Sequence, residues 1–238
     1  MFRGGVTGFG LHNLDVRLPG PTNTGIANAL EFNIAASRRD LSPSHGTVTN
    51  ITTTGGQWGY GTVQVQSGNY LHFENLEGEG GVTLRLETGI GGGYVGGITA
   101  SNITCRNGHA AVMAEPHCQV NGRFSVDGVL SLGCAVAVET NGGYIDTRRH
   151  PGAPAGTFSN DSQVTNVVGV FGEHAQSAEG VNDWPACTVW GNENAALNYR
   201  VSVERIRAEG FPPPSNRTTL VHWERWWASH CFYNSTAV

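Results

Sequence analysis

Seven short segments of this 238-residue chain share one pattern, and their spacing restricts the fold more than any other feature. Each reads apolar residue, spacer, polar or small residue, apolar residue. The copies are Leu11-His12-Asn13-Leu14, Val48-Thr49-Asn50-Ile51, Phe73-Glu74-Asn75-Leu76, Ala100-Ser101-Asn102-Ile103, Val126-Asp127-Gly128-Val129, Val164-Thr165-Asn166-Val167 and Val203-Glu204-Arg205-Ile206. Their third positions are spaced by 37, 25, 27, 26, 38 and 39 residues, and Asn fills that position five times. A period of about 25 is too short for a propeller blade and lacks the Leu-rich signature of a horseshoe. It suits one turn of a right-handed parallel β-helix, whose coils stack about 4.8 Å apart around a continuous column of inward side chains.

Composition agrees with an all-β, pectate-lyase-like solenoid. The chain has 34 Gly and only 14% charged residues, which suits many short strands and turns and suits long helices poorly. One domain over residues 1–238 is expected, the longer intervals being coils with insertions near 19–45, 143–160 and 173–198. Met1-Phe2-Arg3-Gly4-Gly5 lacks the regions of a signal peptide and reads as an opening in mid-fold, an N-terminus truncated within the solenoid. No apolar run approaches the ~20 residues of a membrane span.

All 14 basic residues are Arg; without Lys, Schiff-base chemistry and a P-loop are excluded. A net charge of -5 argues against nucleic-acid binding. Five cysteines without paired spacing give neither a zinc site nor a disulfide framework. No cofactor is required, and a structural Ca²⁺ or Na⁺ ion is the one addition left open.

Each regular coil carries a second strand. Val63-Gln64-Val65-Gln66-Ser67-Gly68, Leu84-Arg85-Leu86-Glu87-Thr88-Gly89, Val112-Met113-Ala114-Glu115-Pro116-His117 and Val136-Ala137-Val138-Glu139-Thr140-Asn141 align without gaps. Side chains alternate along a strand. With Val65, Leu86, Ala114 and Val138 inward, Gln66, Glu87, Glu115 and Glu139 form one outward column. Gln64, Arg85, Met113 and Ala137 form the next, and Gly68, Gly89, His117 and Asn141 a third.

Carboxyl groups one coil apart repel, so a pair of them retains a proton near neutral pH and can serve as acid beside base. Separations of ~5 Å suit a retaining glycosidase and ~6.5–9.5 Å an inverting one, and backbone spacing alone does not choose. His117 follows Glu115 by two residues, where it can orient a water or a sugar hydroxyl. His109 flanks the same segment. Trp58, Tyr60, Tyr94, Trp184 and Trp190 are candidate platforms for sugar rings, whereas Trp223, Trp226 and Trp227 read as a hydrophobic cap.

From Gly80 to Gly89, then at Gly96-Gly97-Ile98, Asn107-Gly108-His109-Ala110-Ala111-Val112 and Pro116-His117, the sequence resembles iota-carrageenases and their relatives over residues 46–142. The resemblance implies a right-handed β-helix glycoside hydrolase that cleaves a sulfated red-algal galactan with inversion. It implies Glu87 as proton donor, with Gln64 or Gln66 from the preceding coil and His117 from the following one completing the constellation. The family's general base is an Asp two residues after the acid, where this chain has Gly89. Either Glu115 or Glu139, acting through water, replaces it, or the protein does not hydrolyse that substrate.

The expected function is hydrolysis of an anionic polysaccharide by Glu87, Glu115 and His117, with Gln64, Gln66, Arg85, Glu139, Trp58, Tyr60 and Tyr94 binding substrate. Arg85 would hold a sulfate or carboxylate. Such an enzyme works outside the cell, as a monomer or homotrimer. Two alternatives remain: a polysaccharide lyase, to which six scattered Asp lend little support, and a non-catalytic glycan-binding β-helix such as a phage-tail or adhesin protein, which Gly89 favours.

Overall fold

In the computed structural model the described residues are 2–19, 28–33, 41–57, 60–88, 93–116, 120–141, 156, 158–159, 161–170, 187–192, 201–209, 219–225 and 228–230. They form strands wound into a right-handed parallel β-helix. One sheet runs β1 (Phe2–Arg3), β3 (Leu30–Asn33), β5 (Val63–Val65), β7 (Val82–Thr88), β10 (Ala110–Pro116), β12 (Val136–Asn141), β14 (Cys187–Asn192), β16 (Thr219–Arg225) and β17 (Ala228–His230). The other runs β2 (Gly10–Arg17), β4 (Ser44–Gly56), β6 (Gly68–Gly80), β9 (Ile98–Arg106), β11 (Phe124–Leu132), β13 (Ser162–Val170) and β15 (Val201–Glu209), with short β8 (Val95–Gly96) also on β6. Each coil gives one strand to each sheet. Among these pairings only β16–β17 is antiparallel.

The seven-fold motif lies in the second sheet, and its third position has a conformational cause. Asn13, Asn50, Asn75, Asn102, Gly128, Asn166 and Arg205 all have φ between 53° and 75°. The strand bends there, so the apolar residues on both sides of it point inward. Asn and Gly adopt this left-handed conformation most cheaply, which is why they dominate the position. The carboxamides also bond up the stack: Asn50 Nδ2 donates to Asn13 Oδ1 at 2.9 Å, Asn75 to Asn50 at 2.9 Å and Asn102 to Asn75 at 3.0 Å. Gly128 breaks the ladder, and Asp127 resumes it by accepting from Thr165 Oγ1 and Asn166 Nδ2, both at 2.6 Å.

Inward side chains fill the column. Val48, Phe73, Ala100, Val126 and Val164 stack before the bend and Ile51, Leu76, Ile103, Val129 and Val167 after it, all buried. Val63, Leu84, Val112 and Val138 face them from the first sheet. Burying each such side chain stabilises the fold by about 1.5–3 kcal/mol. Phe9 stacks on Phe32, which meets Phe73 edge-on, both at 5.8 Å.

Two sequence expectations need correction. The intervals 19–45 and 173–198 are not wholly insertions, because each holds its coil's own strand in the first sheet, β3 and β14. Leu30 and Phe32 keep the in-out alternation of the coil, and Phe32 joins the core. The second correction concerns register. β7 and β10 pair as aligned, with Glu115 beside Glu87. β12, however, sits two residues from the ungapped alignment, so that Glu139 pairs with Met113 and not with Glu115. The turns explain it: Arg106 pairs with Leu132 and Ala110 with Val136, the same 26-residue offset on both sheets. Asn107 N bonds to Leu132 O and Val136 N to His109 O, so the two turns stack residue for residue. A shift of two residues keeps every side chain on its face and moves it one column over.

Candidate active site

The site grows from the alternation of β7. Leu84 and Leu86 belong to the core, so Arg85 and Glu87 take the outer face. Parallel pairing adds Gln64 beside Arg85 and Glu115 beside Glu87. Although on the outer face, these groups are buried: Gln64 is 2% exposed, Glu87 4% and Arg85 8%.

One oxygen of Glu87, Oε2, accepts a hydrogen bond from Gln64 Nε2 and lies 3.4 Å from Arg85 Nε. Arg85 reaches the other way to Glu115, its terminal nitrogen donating to Oε2 at 2.6 Å. Beneath the guanidinium lies the Tyr60 ring, 5.1 Å from ring centroid to guanidinium carbon, a cation–π contact. Burial works against the charge of Arg85, and the carboxylates of Glu115 and Glu87 outweigh it, so the guanidinium is held more firmly protonated than usual. Two acidic groups on adjacent coils therefore share one cation.

A second layer positions these groups. Asn28 Nδ2 donates to Gln64 Oε1 at 2.6 Å, turning the Gln64 amide so that its nitrogen faces Glu87. The Asn33 amide donates to Gln66 and, at 3.2 Å, to Glu31. Farther up the stack, His109 Nε2 and Glu139 Oε2 are 2.5 Å apart, both side chains 2% exposed. Val82, Ala110, Met113 and Val136 form a small separate apolar cluster, with Met113 between Arg85 and Glu139 in their column.

The structure thus brings together Gln64, Arg85, Glu87 and Glu115, with Tyr60, a candidate sugar platform in the sequence, against Arg85. Gln66 follows the end of β5 and accepts from Asn33. Glu139 stands in the Arg85 column instead, tied to His109. Tyr94 lies apart, 40% exposed at the corner that follows the strand. Trp58, Gly89, His117, Trp184, Trp226 and Trp227 lie outside the described residues, as do the side chains of Trp190 and Trp223. Sequence reasoning missed Asn28, Asn33 and the His109–Glu139 contact. The 26-residue offset of the turns is the signal that leads to the last, since it places Glu139 two residues closer to the level of His109.

Over 110 residues, 44% of this chain, the sequence is 38% identical to an iota-carrageenase of Zobellia galactanivorans. Over 108 residues, 43% of the chain, it is 35% identical to an iota-carrageenase of Alteromonas macleodii. The chain is iota-carrageenase-like over part of its length. Those matches span only 22% of each relative, and no family model matches the sequence. Among solved structures, an iota-carrageenase complexed to iota-carrageenan fragments superposes with a TM-score of 0.74 at 20% identity, covering 98% of this chain and 68% of that one. An iota-carrageenase from A. fortis, solved in the absence of chloride ions, gives 0.71 at 19% identity over 96% and 66%. At such identities the likeness carries the fold, and it carries it across nearly the whole chain.

Proposed function

We propose that this chain is the β-helix of a glycoside hydrolase that cleaves a sulfated galactan, with Glu87 as proton donor. The observation that carries the reading is the buried Gln64–Glu87–Arg85–Glu115 constellation, a pair of carboxylates on adjacent coils sharing one guanidinium. Partial sequence similarity to iota-carrageenases supports the class of substrate.

Arg85 is the group for a sulfate ester, because its planar fork matches the oxygens of an oxyanion. Such a substituent competes with Glu87 and Glu115 for the guanidinium. Glu87 delivers its proton to the departing glycosidic oxygen as the bond to the anomeric carbon breaks. Water forms the new bond to that carbon and gives up a proton to the second carboxylate. We assign that base to Glu115, since Glu139 stands one column away and is occupied by His109. Gln64 keeps the Glu87 carboxyl in one orientation through both steps, and the polymer substrate places the reaction outside the cell.

The test measures reducing ends released from iota-, kappa- and lambda-carrageenan. Activity on a sulfated galactan that falls at least a thousandfold in Glu87→Gln is the expected result. Equal background release by wild type and variant overturns the assignment. Gly89, which offers no carboxyl two residues after Glu87, favours one other reading, a binding protein without turnover; retained polymer binding with no release by wild type would select it.

A further inference from the structure

A second column of left-handed residues runs along the corner between the two sheets, and it is built differently from the asparagine ladder. Thr7 bridges to Ser44, Ser44 pairs with Asn69 and Asn69 with Gly96, so Gly8, His45, Tyr70 and Gly97 stack in register. Their φ values are 67°, 53°, 54° and 64°. Glycine at the two ends adopts this conformation freely. At the two middle coils the chain instead holds His, which tolerates the left-handed region better than most residues, and Tyr, a bulky residue that is a genuine outlier there.

That strain is not offset by burial. Tyr70 is 65% exposed, the most exposed large hydrophobic side chain among the described residues. The ring of His45 stacks on it, centroids 5.1 Å apart and planes 28° from parallel. The next coil is kept bare to receive the rings: a Cβ at Gly97 would stand 2.7 Å from the Tyr70 ring. Likewise a Cβ at Gly96 would stand 2.7 Å, and one at Gly122 2.5 Å, from Tyr94, which is 40% exposed. His45, Tyr70 and Tyr94 thus lie on three successive coils, an aromatic row roughly 10 Å long along the helix axis.

We propose that this row is a second carbohydrate site, separate from the Arg85–Glu87 site, which takes sugar rings of the galactan by stacking their apolar faces on Tyr70 and Tyr94. A row of exposed rings with one titratable neighbour and no carboxylate within it suits the carbon face of a pyranose. Charge recognition is left to Arg85. The proposal rests on the reading that the polymer is a galactan, and it is independent of whether Glu87 hydrolyses it.

The test uses the full chain in native gels cast with and without iota-carrageenan, alongside melting curves. Tyr70→Gly is expected to weaken retardation by the polymer at least threefold while melting no lower than wild type, because glycine relieves the left-handed strain. Tyr70→Phe is expected to be retarded like wild type, since the ring face remains. Unchanged retardation in Tyr70→Gly overturns the proposal. So does a lower melting temperature in Tyr70→Gly that Tyr70→Phe avoids, for the ring then serves the fold. Retardation that depends on Tyr70 in a protein without turnover supports the second site and removes only the hydrolytic reading.

Discussion

Replacing Arg85 by Met tests the electrostatic core of the site. The substitution keeps an unbranched side chain of comparable reach and deletes the cation between Glu87 and Glu115. At an effective dielectric of about 20, contacts of 2.6 and 3.4 Å are worth roughly 6 and 5 kcal/mol of attraction. Desolvating the guanidinium and opposing the two carboxylates consume much of that, so the net effect follows buried pairs that lose one partner, about 3–5 kcal/mol. The range applies with little discount because the Arg85 side chain is only 9% exposed. Urea unfolding followed by tryptophan fluorescence at pH 7 reads the loss as a lower midpoint at constant slope. Arg85→Met combined with Glu115→Gln removes one of the two bared charges and is expected to recover about half of it. A variant as stable as wild type at pH 7, or a double variant no better than the single one, refutes the view that one guanidinium compensates both acids.

The asparagine ladder and its acidic continuation give two further expectations. Asn75→Ala loses hydrogen bonds to Asn50 and Asn102 and places Ala at φ 55°, a combined cost of about 2–4 kcal/mol, whereas Asn75→Gly keeps the bend and costs about half as much by thermal or urea melting. Equal losses in the two variants contradict the conformational reason for Asn. Asp127 is held below the usual carboxylate range chiefly by Thr165; burial opposes this, and Asn166 and Arg205 add to the lowering. A lowered folded-state value means stability present above the ordinary Asp range and lost as pH falls through the lowered one. Asp127→Asn therefore melts slightly lower at pH 7, by less than ~1 kcal/mol at this exposed site, and the difference disappears in acid. A deficit that grows in acid refutes it.

The coil period was legible because inward apolar residues recur wherever the chain passes the core, and the bend that lets two of them flank one Asn repeats with them. What the pattern did not reveal is why Asn is there; φ is invisible in a list of residue types until several coils are superposed. The Glu87–Glu115 neighbourhood and the outward Arg85 followed from alternation alone. Glu139 was misplaced because Val112-Met113-Ala114-Glu115 and Val136-Ala137-Val138-Glu139 look alike, and alikeness of strands is weaker evidence of register than equal turn length. Tyr60 under Arg85 and Asn28 against Gln64 depend on side chains crossing between coils at a turn, which strand periodicity does not encode.

The register of β12 bears directly on chemistry. On the proposed assignment Gly89, two residues beyond Glu87, offers no carboxyl, so the second carboxylate would come from another coil. Were Glu139 above Glu115, three acids would share one column and the choice between them would be arbitrary. Its displacement into the Arg85 column, and its contact with His109, leave Glu115 as the neighbour of Glu87 among the described acids of this face. Coils ~4.8 Å apart would by themselves suggest the short carboxyl separation of a retaining enzyme. The Arg85 guanidinium contacts both carboxyls, 3.4 Å from one and 2.6 Å from the other, so where the two acids sit is set by this shared cation as well as by the coil spacing. On the proposed assignment, a sulfate that draws the guanidinium aside frees acid and base together, which ties recognition of the charged substituent to hydrolysis.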